Sequence, residues 1–199
     1  MEVQSLPFST SLEGISENTI TIHHDKLYAG YVKKTDEIRQ KLQPLEQGGD
    51  VSTANQTYSE LRALKADETF AVNGVYLHEY YFDILGGDGK PDGALVEEIV
   101  KRFGSFEHFQ SYFSACGMAA RGWVVLAWDL KSQSLQVYTA DAHNQGGVWG
   151  AIPLIVLDVY EHAYFADYGS DRKAYIDSFW KNVDWNKVNA LFDSAKAHS

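Results

Sequence analysis

Cysteine is nearly absent from this 199-residue chain: Cys116 stands alone, which excludes an intramolecular disulfide and fits a reducing compartment. Long apolar runs are missing too. No stretch approaches the roughly 20 residues a membrane helix needs, so no span is expected. Positive charge is scarce: 17 Lys and Arg stand against 27 Asp and Glu, a net charge of −10. That balance argues against nucleic acid as a partner, because nothing in the sequence neutralises phosphates along a face. The same field would repel an anionic substrate, a puzzle if the substrate is one. Met1-Glu2-Val3-Gln4-Ser5 lacks the basic-then-apolar form of a signal peptide. A soluble, cytoplasmic protein is expected. Aromatic residues, by contrast, are plentiful, with 12 Tyr, 10 Phe and 5 Trp. They imply dense packing and many hydroxyl or indole donors to place inside.

Along the chain, residues 1–15 read as an extended arm. Ser16-Glu17 is a helix-start signal, and Ile20, His23, Leu27, Tyr31 and Val32 recur at helical steps, predicting a helix to about Gln43. Pro44, Gly48 and Gly49 are expected to end it. A second helical segment is predicted over 52–64, and another through Phe70, Gly74, Leu77, His78, Tyr81 and Leu85. Gly74 costs about 1 kcal/mol in a helix interior, which points to close approach by another helix. The Gly86–Gly93 stretch breaks every pattern and divides the chain into residues 1–87 and 88–199. Helices follow over 94–103 and 105–119. Trp123–Trp128 and Leu135–Tyr138 read as a hairpin, Ile152–Leu157 as a third strand, and helices from Asp171 and Asp184 close the chain. The fold class is therefore α+β: an N-terminal helical hairpin, then a domain with a small, about three-stranded antiparallel sheet packed by helices.

The apolar run at 152–157 ends on Asp158. A carboxylate there costs several kcal/mol unless a cation or donor meets it, and His162 lies four residues on. A lone histidine on an apolar face is more often a core residue than a ligand. His23, His78 and His162, however, each sit on an aromatic-rich stripe, and Asp158 is the matching carboxylate. Three neutral imidazoles and one carboxylate suit Fe, Mn or Zn. His108 and His198 are expected to be solvated, and His24, turned about 100° from His23, to serve packing. Tyr31, about 12 Å along the helix axis from His23, can bracket the same pocket.

These residues resemble the iron/manganese superoxide dismutase family. The resemblance rests on Asp158-Val159-Tyr160-Glu161-His162-Ala163-Tyr164 followed by Tyr168, Arg172, Tyr175 and Trp185. Upstream it includes His23-His24-Asp25-Lys26 with Tyr31-Val32, His78 with Tyr81-Phe82, and Gly122-Trp123. It covers essentially the whole chain. It implies one Fe or Mn ion per subunit, held between two domains by His23, His78, Asp158 and His162, which disproportionates superoxide to dioxygen and hydrogen peroxide. Tyr31 matches a gateway tyrosine, and Trp123 and Tyr160 match aromatic walls. Lys26 and Arg172 match basic residues at a funnel mouth, where local positive charge would answer the puzzle of the −10 surface.

Three departures from the family pattern bear on the site. Family members often hydrogen-bond solvent at the metal through a glutamine. Here His143 and Gln145 compete for that place, and the Ala142-His143-Asn144 context favours His143. Where the family pairs a histidine with a partner-subunit tyrosine, this chain has Leu27 and Phe165, which implies a hydrophobic contact instead. Glu161 would contact the partner's His162, giving a homodimer through Glu161, His162, Leu27 and Phe165, with tetramers as a further assembly. Two other readings stand beside this one. One is a zinc-type hydrolase with Glu161 as general base. The other is a relative that binds metal without dismutase activity.

Overall fold

The computed structural model describes residues 1–8 and 11–198. Ser9 and Thr10, inside the expected N-terminal arm, lie outside the described residues, as does Ser199. The first helical stretch begins where the cap signal places it: the Ser16 side chain accepts a hydrogen bond from the Thr19 amide at 3.2 Å. It is not one uniform helix. Helix α1 (Glu17–Thr21) passes into a π-helical segment (Ile22–Tyr28) and then into α2 (Ala29–Glu46). A π segment inserts extra backbone per turn and re-aims the side chains it carries. His23 lies inside it, buried with His24 and Tyr28. The expectation that Pro44 ends the helix is corrected, since Pro44 lies inside α2, two residues before its end at Glu46.

The expected helix over 52–64 is also corrected. Residues 51–59 form turns, because Asn55 bonds the local backbone instead of leaving it to a helix. Its Oδ1 accepts from the Thr57 and Tyr58 amides at 3.0 and 2.8 Å. Ser59 then caps a single long helix, α3 (Glu60–Asp83), accepting from the Arg62 amide. Helices α2 and α3 pack as a hairpin, with a small separate core of Ile38, Leu42, Leu64 and Ala71.

Helices α4 (Ala94–Phe103) and α5 (Phe106–Ala119) follow, the latter capped by Ser105 as its sequence signals. Strands β1 (Trp123–Asp129), β2 (Ser134–Ala140) and β3 (Ala151–Asp158) form one antiparallel sheet in the order β2-β1-β3. Pro153 is tolerated because β3 is an edge strand, and it sits beside a register shift opposite Leu126 and Ala127. From Leu154 to Asp158 every residue of β3 is buried, and the strand packs against both α3 and α8 (Trp185–Ala197). Its last residue, Asp158, pairs with Trp123, the first residue of β1. A 3₁₀ turn (Glu161–Ala163), α6 (Phe165–Tyr168) and α7 (Arg172–Lys181) complete the fold. Arg172 ties this region to α5: its guanidinium donates to the carbonyls of Ala120 at 2.7 Å and Gly117 at 3.3 Å, at the end of α5 where a helix favours a cation.

Gly74 has the role its sequence position implies. A Cβ there would come within 2.9 Å of the Tyr31 ring at Cγ and Cδ1, the stiff end of that side chain. Gly74→Ala should therefore destabilise the protein by about 1–3 kcal/mol despite alanine's higher helix propensity. Urea unfolding of the two proteins measures it; an equal or higher midpoint for the alanine variant would contradict the close-packing account.

Candidate metal centre

Asp158 is fully buried at the end of β3. One carboxylate oxygen, Oδ1, accepts from the Tyr160 amide at 2.8 Å. The other, Oδ2, is met by three imidazole Nε2 atoms: His23 from the π segment at 3.1 Å, His162 from the 3₁₀ turn at 3.1 Å, and His78 from α3 at 3.7 Å. The donor atoms of all four residues lie within 4.8 Å of one another. His78 donates its Nδ1 proton to the Gly74 carbonyl one turn earlier, which leaves Nε2 as a lone pair facing the cluster. That buried atom has no hydrogen-bond partner.

The electrostatics run the same way. Burial pushes His78 down to about 3 and lowers His23 also, so both are neutral at pH 7. Burial alone would raise the Asp158 carboxyl, but the neighbouring His162 and His23 hold it well below the usual carboxylate range. Burial also works against protonated His162, yet the Asp158 charge outweighs it and draws its pKa up. A buried carboxylate among three imidazoles, two of them neutral, turns more lone pairs than protons toward one point. An Fe or Mn ion would be held there by those lone pairs. The donor set, with its orphaned His78 Nε2, fits such an ion.

Aromatic and imidazole rings close over the cluster. His143 is buried, and its ring lies 4.7 Å from Tyr31, 5.2 Å from Tyr160 and 5.8 Å from His78 between centroids. The Trp123 indole N–H can only donate, and it does so to His143 Nδ1 at 2.9 Å. His143 therefore carries its proton on Nε2. Burial lowers its pKa to about 4, so it stays in that neutral form. Tyr160 stacks on His162 at 5.3 Å with the planes 13° apart. Burial raises the Tyr31 phenol to about 12, keeping it protonated.

A family model described as "Iron/manganese superoxide dismutases, alpha-hairpin domain" matches residues 2–86, and one for the C-terminal domain of the same enzymes matches 91–191. The chain belongs to the iron/manganese superoxide dismutase family. Among similar proteins is "Superoxide dismutase [Fe]" of Aquifex pyrophilus, 46% identical over 187 residues, covering 93% of this chain and 87% of that protein. "Superoxide dismutase [Mn] 1" of Halobacterium salinarum is 36% identical over 98% of this chain and 96% of its own length. "Superoxide dismutase [Fe]" of Cupriavidus metallidurans is 38% identical over 92% and 91%.

Within this superoxide dismutase framework the structure brings together His23, His78, Asp158, His162, His143, Tyr31, Trp123 and Tyr160. It places Gln145 away from them: Gln145 is exposed, in a turn where its amide bonds the Ala142 carbonyl. Glu161 and Lys26 are exposed, Leu27 is half-buried, and Phe165 is 55% exposed, beside the motif. His24 packs inward and bonds the Gln4 carbonyl at 2.8 Å. Among the described residues, Phe70 and Phe82 touch the cluster without having been singled out for it. Phe70 packs 4.5 Å from His143 and Phe82 5.0 Å from His23. Phe70 lies on the stripe that carries His78, and Phe82 lies four residues beyond His78, one helical turn along.

Loading the wild-type chain with Fe or Mn at a hundredfold excess over Kd should stabilise it by about 2.7 kcal/mol. Asp158→Asn should lose that gain and the bound metal. Elemental analysis and urea unfolding, with and without chelator, measure both, and full metal occupancy in Asp158→Asn would contradict the ligand assignment.

Proposed function

We propose that this protein is a superoxide dismutase whose single Fe or Mn ion is held by His23, His78, Asp158 and His162. The observation that carries the reading is the convergence of three imidazole Nε2 atoms on one oxygen of a fully buried carboxylate, inside a chain of this family. When bound, the ion supplies one-electron cycling between its trivalent and divalent states, by which two superoxide anions become dioxygen and hydrogen peroxide. Everything else falls to the chain. One carboxylate among three neutral imidazoles gives the donor set a charge of −1, low enough that the centre stays cationic and attracts an anion. Asp158 is kept ionised by its neighbours, and the Gly74 carbonyl holds the proton of His78 at Nδ1.

Proton supply belongs to the rings above the cluster. His143 Nε2–H, its tautomer set by Trp123, is the donor toward solvent or substrate at the centre, and the Tyr31 hydroxyl is a second donor beside it. Gln145, out in its turn, does not take that role. His143→Gln should shift both the midpoint potential of the bound ion and the pH profile of turnover, while Gln145→Ala leaves both unchanged. Potentiometry and stopped-flow decay of superoxide read the two, and the opposite pattern would return the role to Gln145.

Lys26 supplies local positive charge near the site against the net charge of −10. Lys26→Glu should lower the rate at low ionic strength and flatten its salt dependence. Arg172 is a poorer probe of steering, because Arg172→Glu would also break its bonds to the end of α5.

The working unit in this reading is a cytoplasmic homodimer built on Glu161, His162, Leu27 and Phe165. The 55% exposure of Phe165 and the partly open His162 support it, since a partner's Glu161 would then cover that imidazole. A division of the subunit into 1–87 and 88–199 is part of the same proposal, supported by family matches that end at 86 and resume at 91. Relatives named for iron and for manganese match 93% and 98% of the chain, so the proposal is written for either ion. Reconstitution of the purified protein with each metal, followed by a superoxide decay assay, tests it. A fully loaded protein that leaves superoxide decay at the uncatalysed rate would sink it.

A further inference from the structure

Two phenols outside the ligand set lie in series behind Asp158. Tyr175, on α7, is fully buried, and its hydroxyl bonds the Asp158 main-chain carbonyl at 2.8 Å. Tyr81, on α3 and equally buried, places its hydroxyl 3.2 Å from that of Tyr175. The directions of both bonds follow from what each group can do. A carbonyl only accepts, so Tyr175 spends its one proton on Asp158, and the bond between the phenols must be donated by Tyr81. The chain therefore runs Tyr81 O–H to Tyr175 O–H to the Asp158 carbonyl, in one direction only. Both rings are wedged. Tyr175 stacks on Tyr164 at 5.2 Å, while Tyr81 stacks on Phe179 at 6.2 Å and faces His23 at 5.1 Å.

Tyr81 lies three residues beyond His78 on the same face of α3, one turn along. The phenol pair thus links the helix that carries one ligand to the strand end that carries another. His78 Nε2 and Asp158 Oδ2, the side-chain atoms that these two elements turn toward each other, lie 3.7 Å apart. We propose that Tyr175 and Tyr81 are positioning residues for the metal ligand Asp158, holding its backbone in register with His78 through a two-phenol relay between α7 and α3. The inference rests on the metal-binding reading above. Tyr175→Phe keeps the ring and strands the carbonyl. Tyr81→Phe removes one donor and leaves the main-chain bond in place, so its effect is smaller and in the same direction.

The test compares metal-free and Fe- or Mn-loaded protein for wild type, Tyr175→Phe, Tyr81→Phe and the packing control Phe192→Leu, a buried ring that packs on Trp128. The readouts are the melting temperature of each form and the rate of metal loss to excess chelator. A merely structural role lowers both melting temperatures together and leaves metal loss unchanged, which is the expectation for Phe192→Leu. A positioning role shrinks the gap between loaded and metal-free protein and speeds metal loss, by about tenfold or more for Tyr175→Phe. A wild-type gap that both Tyr175→Phe and Tyr81→Phe leave intact, with wild-type rates of metal loss, would overturn the relay alone. A wild type without any metal-dependent gap would overturn the metal-binding reading itself, and the relay with it. Should Tyr175→Phe fail to fold, Tyr81→Phe decides, because it breaks no bond to the main chain.

Discussion

A carboxylate taken wholly out of water at the end of a buried strand is the constraint around which this molecule is built. Leu154–Leu157 must be buried for the sheet to pack against α3 and α8, and that burial carries Asp158 inside with them. The penalty for an isolated charge there is several kcal/mol. The chain meets it with the Tyr160 amide on one oxygen and three imidazoles around the other. Those imidazoles cannot all be protonated so close together, and burial keeps two of them neutral. What remains is a cluster with lone pairs in excess of protons. A metal ion is the partner that such a set lacks.

The four residues of the cluster come from four separate elements: the π segment, α3, β3 and the 3₁₀ turn. Each element has its own means of aiming its side chain. The π segment turns His23 and His24 inward on successive positions, and the Gly74 carbonyl holds the His78 ring. Gly74 serves twice, since its missing Cβ also gives Tyr31 room beside the cluster. Trp123 opens β1 beside Asp158 and fixes the proton of His143, so one residue joins the sheet register to the acid–base state of the pocket. Arg172 and the phenol pair clamp the region behind it.

Much of this was legible in residue order. Helical spacing put His23 and His78 on buried stripes, and a buried strand ending in an acid with histidine four residues later marked the other two residues of the cluster. Cap residues Ser16, Ser105, Asp171 and Asp184 marked helix starts that the structure reproduces. The misreadings have specific causes. Residues 52–64 carry enough helix formers to suggest one helix, but the Asn55 side chain competes for the backbone and delays it to Glu60. Pro44 reads as a stop, yet α2 runs two residues beyond it.

The sequence by itself determined the α+β order of elements, the small sheet, and the four residue types that a metal would want. Each follows from local periodicity and from the cost of burying a charge, which depend on near neighbours in the chain. Only the tertiary structure decided that His143 rather than Gln145 lies over the cluster, and that Trp123 sets its tautomer. It alone decided that Arg172 is tied to the carbonyls at the end of α5. These outcomes depend on contacts between residues 20 to 112 positions apart, such as Trp123 with His143, Arg172 with Gly117 and Tyr31 with His143. No periodicity encodes such contacts, because they exist only once separate elements have packed.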